Sequence, residues 1–108
     1  MKRVYLDYAS TTPVDPRVMK AMLPYFTEEF GNPSSLHSFG QKASSAVFQS
    51  RQTIAKALNC NYKEIIFTGS ATEANNLALR GWQRAKSKEP RIVVSNIEHE
   101  SVLKVPDV

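Results

Sequence analysis

Apolar and polar positions along the chain follow two different periods. From about His37 to Leu58, apolar side chains recur at Phe39, Ala43, Val47, Ile54 and Leu58, mostly four residues apart. That spacing lines one face of a helix, with Gly40 weakening its first turn. A second helical segment runs roughly from Ala71 to Lys86, and its residues Ala74, Leu77, Ala78, Trp82 and Ala85 are expected to face a core. Short β-prone runs flank it, one centred on Ile65, Ile66 and Phe67 and one on Ile92, Val93 and Val94. Strand, helix and strand in that order predict a βαβ unit with parallel pairing. The stretch from Lys86 to Pro90 is its expected return loop.

The first third of the chain is less regular. Val4, Tyr5 and Leu6 suit a short strand, which the run from Ala9 to Pro13 interrupts. Asp15 followed by Pro16 predicts a helix start, since aspartate caps and proline at the first helical position loses no hydrogen bond. Val18, Met19, Met22, Leu23 and Phe26 offer this helix one apolar face, and Pro24 blurs its end. The turn residues of Gly31-Asn32-Pro33-Ser34-Ser35 mark a loop. Past His99, Ser101, Val102 and Leu103 begin a further helix that Pro106 curtails. The expected fold class is α/β, with residues 1–30 an N-terminal arm and first helix, and residues 31–108 an incomplete α/β domain. A parallel core of two strands buries limited area and needs both faces covered. The unit is therefore expected to be completed by more chain, another subunit or a second polypeptide.

Composition narrows the partners. With 42% hydrophobic and 22% charged residues in 108, the chain is an ordinary folded domain rather than a disordered tail. Its net charge of +4 comes from scattered basic residues, which make no nucleic-acid footprint. No apolar run is long enough for a membrane span, and the N-terminus does not resemble a secretory signal. A single cysteine, Cys60, excludes an internal disulfide framework and a thiolate metal cluster, so a reducing, cytoplasmic setting is expected.

The sharpest chemical feature is Thr68-Gly69-Ser70-Ala71-Thr72-Glu73, between the first expected strand and its helix. Gly69 permits a tight approach or a positive φ, and Ser70 and Glu73 have capping-box spacing. The first amides of the helix and the hydroxyls of Ser70 and Thr72 also suit a phosphate. By itself the turn reads first as a helix cap and second as an anion cradle. It matches neither the Walker A pattern nor the three-glycine dinucleotide fingerprint.

His99 follows the second expected strand. Parallel pairing puts it at the same carboxyl edge as the Gly69 turn, where ligands of α/β folds bind. Its ring suits stacking on a flat cofactor or proton exchange near neutral pH, although a surface or capping histidine is the commoner case. His37 reads as a helix-start residue, and Cys60 as a buried structural thiol. Asp7 and Asp15 are not brought together by the sequence. Asn75 and Asn76 are expected to face solvent.

Four segments together carry a resemblance. Residues 5–13 (YLDYASTTP), 30–35 (FGNPSS), 66–76 (IFTGSATEANN) and 97–99 (IEH) look like cysteine desulfurases of the NifS/IscS class, in that family's order and across nearly the whole chain. The resemblance implies the N-terminal part of a fold-type-I pyridoxal-phosphate (PLP) enzyme of the class-V aminotransferase family. Such enzymes are usually homodimeric, convert L-cysteine to L-alanine and pass the sulfur to an enzyme thiol and then to an acceptor protein in iron–sulfur cluster assembly. Carried onto matching positions, Ala71 and Thr72 are implied to bind the cofactor phosphate, and His99 to stack on the pyridine ring and assist proton transfer. The Ala9-Ser10-Thr11 region is implied to approach the substrate side, and Asn32, though part of a structurally informative motif, is given no catalytic role. No metal is implied.

Family members commonly have serine then glycine before the Ala-Thr pair, whereas this chain has Gly69 then Ser70. A backbone needing glycine second is expected to be strained by Ser70. The Schiff-base lysine, the aspartate facing the pyridine nitrogen and the mobile sulfur-accepting cysteine lie farther downstream in the family. The isolated chain is therefore expected to be inactive until a downstream or complementary segment completes it. The alternatives are part of a related selenocysteine lyase and a noncatalytic interaction domain.

Overall fold

Asp15 opens the first helix because its carboxylate accepts the Arg17 amide at 2.8 Å, which satisfies one of the orphan donors of a helix start. In the computed structural model, which describes residues 3–86 and 91–105, that helix is α1 (Pro16–Met22). Pro24 cannot continue the amide ladder, so a separate turn, α2 (Pro24–Thr27), begins there. The remaining helices are α3 (Ser38–Leu58), α4 (Ala71–Ala85) and α5 (Glu100–Leu103), with a 3₁₀ turn over Tyr62–Glu64. The chain divides into two compact units, Met1–Ile65 and Ile66–Val108.

In the first unit, α3 carries the packing. His37 caps it, its ring accepting the Gly40 amide at 3.4 Å, and Gly40, Ala43 and Ala55 are its buried residues. Gly40 is placed by close approach: a Cβ there would run into the backbone carbonyl of Ser35. Gly31 has the same relation to the carbonyl of Phe39, so the 31–35 loop lies against the start of α3 through two glycines. Inside the loop, the Asn32 side chain accepts the Ser34 amide at 2.9 Å. At the other end, Asn59 adopts a left-handed conformation with φ 52°, and the Cys60 amide reaches back to the Ala55 carbonyl. Asn61 and Glu64 then cap the 3₁₀ turn reciprocally. Phe48 of α3 meets Tyr62 edge to face at 5.3 Å.

In the second unit, α4 and α5 pack together, and Ser101 and Val105 are the buried residues among those described. The α/β expectation is overturned here. Among the described residues there is no strand, and the architecture is all-helical. Ile65 has the extended dihedrals of a strand, φ −88° and ψ 119°, but its carbonyl accepts the Arg51 guanidinium at 3.2 Å instead of joining a ladder. The second β-prone run fares likewise. Val93 is 95% exposed, the opposite of a residue in a parallel sheet covered on both faces. Ile65 keeps the local extended preference of a β-branched residue, and neither segment makes the non-local pairing of a sheet. The βαβ unit is thus not formed, and residues 87–90 of its expected return loop lie outside the described residues. Leu77 and Trp82, expected in a core, are about half exposed. No helix among the described residues is long and apolar enough to cross a membrane, and none of their His, Cys, Asp or Glu side chains group as a metal site.

Candidate functional site

The turn ahead of α4 is built from reciprocal caps. Ser70 Oγ accepts the Glu73 amide at 3.1 Å, while the Glu73 carboxylate accepts the Gly69 amide at 2.7 Å. Serine and glutamate three apart thus act as the capping box that their spacing predicts, displaced by one residue on the glutamate side. Thr68 adds a hydroxyl bond to the Ser70 carbonyl at 3.1 Å.

Gly69 has no positive φ, and Ser70 sits in extended backbone at φ −161° and ψ 162°. Neither position needs glycine for its dihedrals, so the inverted Gly-Ser order brings no strain. That corrects the expectation. What Gly69 spares is space, since a Cβ there would lie 3.3 Å from the Glu73 carboxylate.

The donors left over matter for an anion. The Ser70 carbonyl takes the Ala74 amide, and the capping bonds take those of Glu73 and Gly69. Among the described residues, no bond engages the amides of Ala71 or Thr72. They are the orphan donors of a fifteen-residue helix, at the end where its dipole favours negative charge. The donor chemistry of this turn fits the phosphate of PLP. Glu73 is the one acidic group in the first turn, and its carboxylate is already turned back onto the Gly69 amide.

His99 caps α5. Its Nδ1 accepts the Ser101 amide at 3.1 Å and lies 2.9 Å from the Ser101 hydroxyl. The hydroxyl in turn accepts the Asn75 side-chain amide, also at 2.9 Å. Thr72 and His99 line one cavity of about 280 Å³ together with Asn76, Arg80, Ser101 and Lys104. Two of the three residues singled out from the sequence thus share a cavity; Ala71 is not among the residues lining it.

Three members of this cluster escaped sequence reading. Asn75, expected to face solvent, is half-buried and bonded to Ser101. Asn76 is half-buried too, its amide bonded to the Thr72 carbonyl at 2.8 Å. Arg80 carries a buried Nε that has no hydrogen-bond partner among the described residues. The 72, 76, 80 spacing of four was a usable signal, since it puts all three on one face of α4. Away from this cluster, His37 and Asp15 are caps as expected, whereas Cys60 is exposed and not a buried thiol.

Comparison with known proteins agrees with the resemblance. The model of the class-V aminotransferase family matches residues 4–106. A cysteine desulfurase IscS of Rickettsia massiliae is 51% identical over 102 residues, which cover 93% of this chain and 25% of that protein. Cysteine desulfurase IscS 1 of Archaeoglobus fulgidus is 53% identical over 100 residues, covering 92% and 26% respectively. A solved structure described as a NifS-like protein superposes with a TM-score of 0.88 at 38% identity, over 97% of this chain and 29% of that one. The chain spans about a quarter of the length of the curated relatives it matches. A family match over nearly all its residues, with half of them identical to desulfurases from a bacterium and an archaeon, makes this chain a member of the class-V aminotransferase family, homologous to the NifS/IscS cysteine desulfurases among the fold-type-I PLP enzymes.

Proposed function

We propose that this chain is the part of a PLP-dependent cysteine desulfurase that holds the cofactor phosphate and presents a histidine to its ring. The reading rests on one observation above all: Thr72, at the start of α4, and His99, at the start of α5, line the same cavity beside first-turn amides that have no other partner among the described residues. Ala71 and Thr72 hold the phosphate through their amides, with the Thr72 hydroxyl as a further donor and the helix dipole behind them. His99 stacks on the pyridine ring and holds or moves a proton at Nε2, because Nδ1 is occupied by the Ser101 amide. Bound PLP supplies an electron sink for the bonds around the substrate Cα.

L-Cysteine is the substrate, L-alanine the product and an enzyme thiol the sulfur acceptor. A homodimeric assembly in the cytoplasm delivers the sulfur onward to an acceptor protein for iron–sulfur cluster assembly. In the family, the lysine and cysteine of that chemistry stand farther along the chain than the stretch matched here. Cys60 is not put forward for either role.

The test uses the native full-length polypeptide with PLP and L-cysteine. Expected are the visible absorbance of bound cofactor and the formation of alanine together with sulfide under reducing conditions. Replacing Thr72 by valine weakens cofactor retention, and His99→Gln lowers alanine formation with the cofactor still bound. A correctly folded, cofactor-loaded protein that forms no alanine from cysteine overturns the assignment, as does a strong preference for selenocysteine in competition.

A further inference from the structure

Two side chains to which the resemblance assigns no site role converge on His99. Ser101 lies two residues after it and is 9% exposed; Asn75 lies on α4, half-buried, twenty-four residues earlier in the chain. Their chemistry fixes the direction of the bonds. Asn75 Nδ2 can only donate, so Ser101 Oγ accepts from it at 2.9 Å. Nδ1 of His99 already accepts the Ser101 amide at 3.1 Å, so it presents a lone pair rather than a proton. The Ser101 hydroxyl, 2.9 Å from that same nitrogen, therefore turns its hydrogen toward it. Nδ1 receives a three-centre bond from one residue, and the neutral ring carries its proton on Nε2.

We propose that Asn75 and Ser101 form a positioning pair for His99, fixing both the orientation of the ring and the Nε2–H tautomer before any ligand arrives. An N-capping histidine held only by a backbone amide keeps freedom to tilt about that single bond. Ser101 adds a second attachment point, and Asn75 keeps the serine hydroxyl from rotating away. The same pair bridges α4, which starts at the Thr72 turn, and α5, which starts at His99. Helix-start amides and imidazole are thereby held in a set relation inside unit Ile66–Val108. The value of this arrangement for catalysis rests on the function proposed above; the bonding itself does not.

The experiment is nitrogen NMR of the native polypeptide labelled at histidine, recorded on the neutral ring before cofactor is added. The His99 signals are identified by their loss in His99→Gln. The wild-type spectrum is expected to show the proton on Nε2 and an acceptor-type Nδ1 shifted upfield by its two donors. Ser101→Thr keeps that signature. Ser101→Ala removes the hydroxyl donor, and Asn75→Asp draws it away, because a carboxylate accepts the serine hydrogen. Both move Nδ1 downfield toward the value of a free acceptor nitrogen. Asn75→Asp nearly conserves volume, so it remains readable where Ser101→Ala perturbs folding.

A wild-type proton on Nδ1, or an Nδ1 signal unmoved in either folded variant, overturns the proposal. The readout is separate from turnover. A protein that passes this test and binds no PLP refutes the desulfurase reading alone, and one that binds PLP with an Nδ1 proton refutes the positioning pair alone.

Discussion

Gly40, in the first turn of α3, lies directly beneath the backbone carbonyl of Ser35, with no space for a side chain between them. A β-carbon there must displace backbone rather than a flexible side chain. Gly40→Ala is therefore expected to destabilise the protein by about 1–3 kcal/mol despite alanine's better helix propensity. Thermal unfolding of the variant checks this. An unchanged or raised midpoint counts against the close approach.

The turn ahead of α4 makes a graded prediction. Ser70→Ala removes the acceptor for the Glu73 amide and is expected to cost about 1 kcal/mol, whereas Ser70→Gly costs only a few tenths. Glu73→Gln keeps the geometry and should lose less than Glu73→Ala. Urea denaturation of the series gives the ranking, and equal losses for alanine and glycine at position 70 contradict the capping role.

Asn59 ends α3 in a left-handed conformation. Asn59→Gly is expected to leave stability unchanged or slightly raised, and Asn59→Ala to cost roughly 1 kcal/mol, because alanine pays the steric penalty of positive φ without the local bonding of asparagine. Helical circular dichroism followed through thermal unfolding distinguishes them.

Acid should weaken the start of α1. The Arg17 guanidinium, bonded to Asp15 at 2.7 Å, holds the Asp15 carboxyl below its ordinary value of 3.8, helped by the Arg17 amide. A carboxyl depressed on folding contributes stability above its unfolded pKa and loses it as pH falls through the folded one. Hence the capped start of α1 should weaken only below about pH 4, and Asp15→Asn should flatten that dependence. Amide exchange at Arg17 and Val18 across pH 3–5 measures it.

The helices were legible because their information is local. Capping at Asp15, His37 and Ser70, the four-residue spacing in α3 and the proline break at Pro24 all act within a turn or two of chain. The sheet was misread for the same reason. Ile65–Phe67 and Ile92–Val94 have strand-like composition, but a ladder depends on partners distant in sequence, and here the Ile65 carbonyl is taken by Arg51. Gly40 was read as a weak helix former, since nothing nearby in sequence announces the Ser35 carbonyl above it. At the site, Thr72 was singled out by its helix-start turn and the resemblance, and His99 by the resemblance and an expected sheet edge that is not formed among the described residues. Asn75 was missed because its partner is twenty-six residues away.

The extended backbone of Ser70 has a consequence for how such a turn is recognised. With neither Gly69 nor Ser70 at positive φ, the backbone path through the turn makes no dihedral demand for glycine at either position, although a side chain at 69 must settle with the Glu73 carboxylate 3.3 Å away. A binding feature composed of main-chain N–H groups is spelled by geometry, and many spellings give the same geometry. Pattern searches that anchor on the glycine will pass over chains like this one, while a search anchored on helix onset and the capping glutamate will retain them.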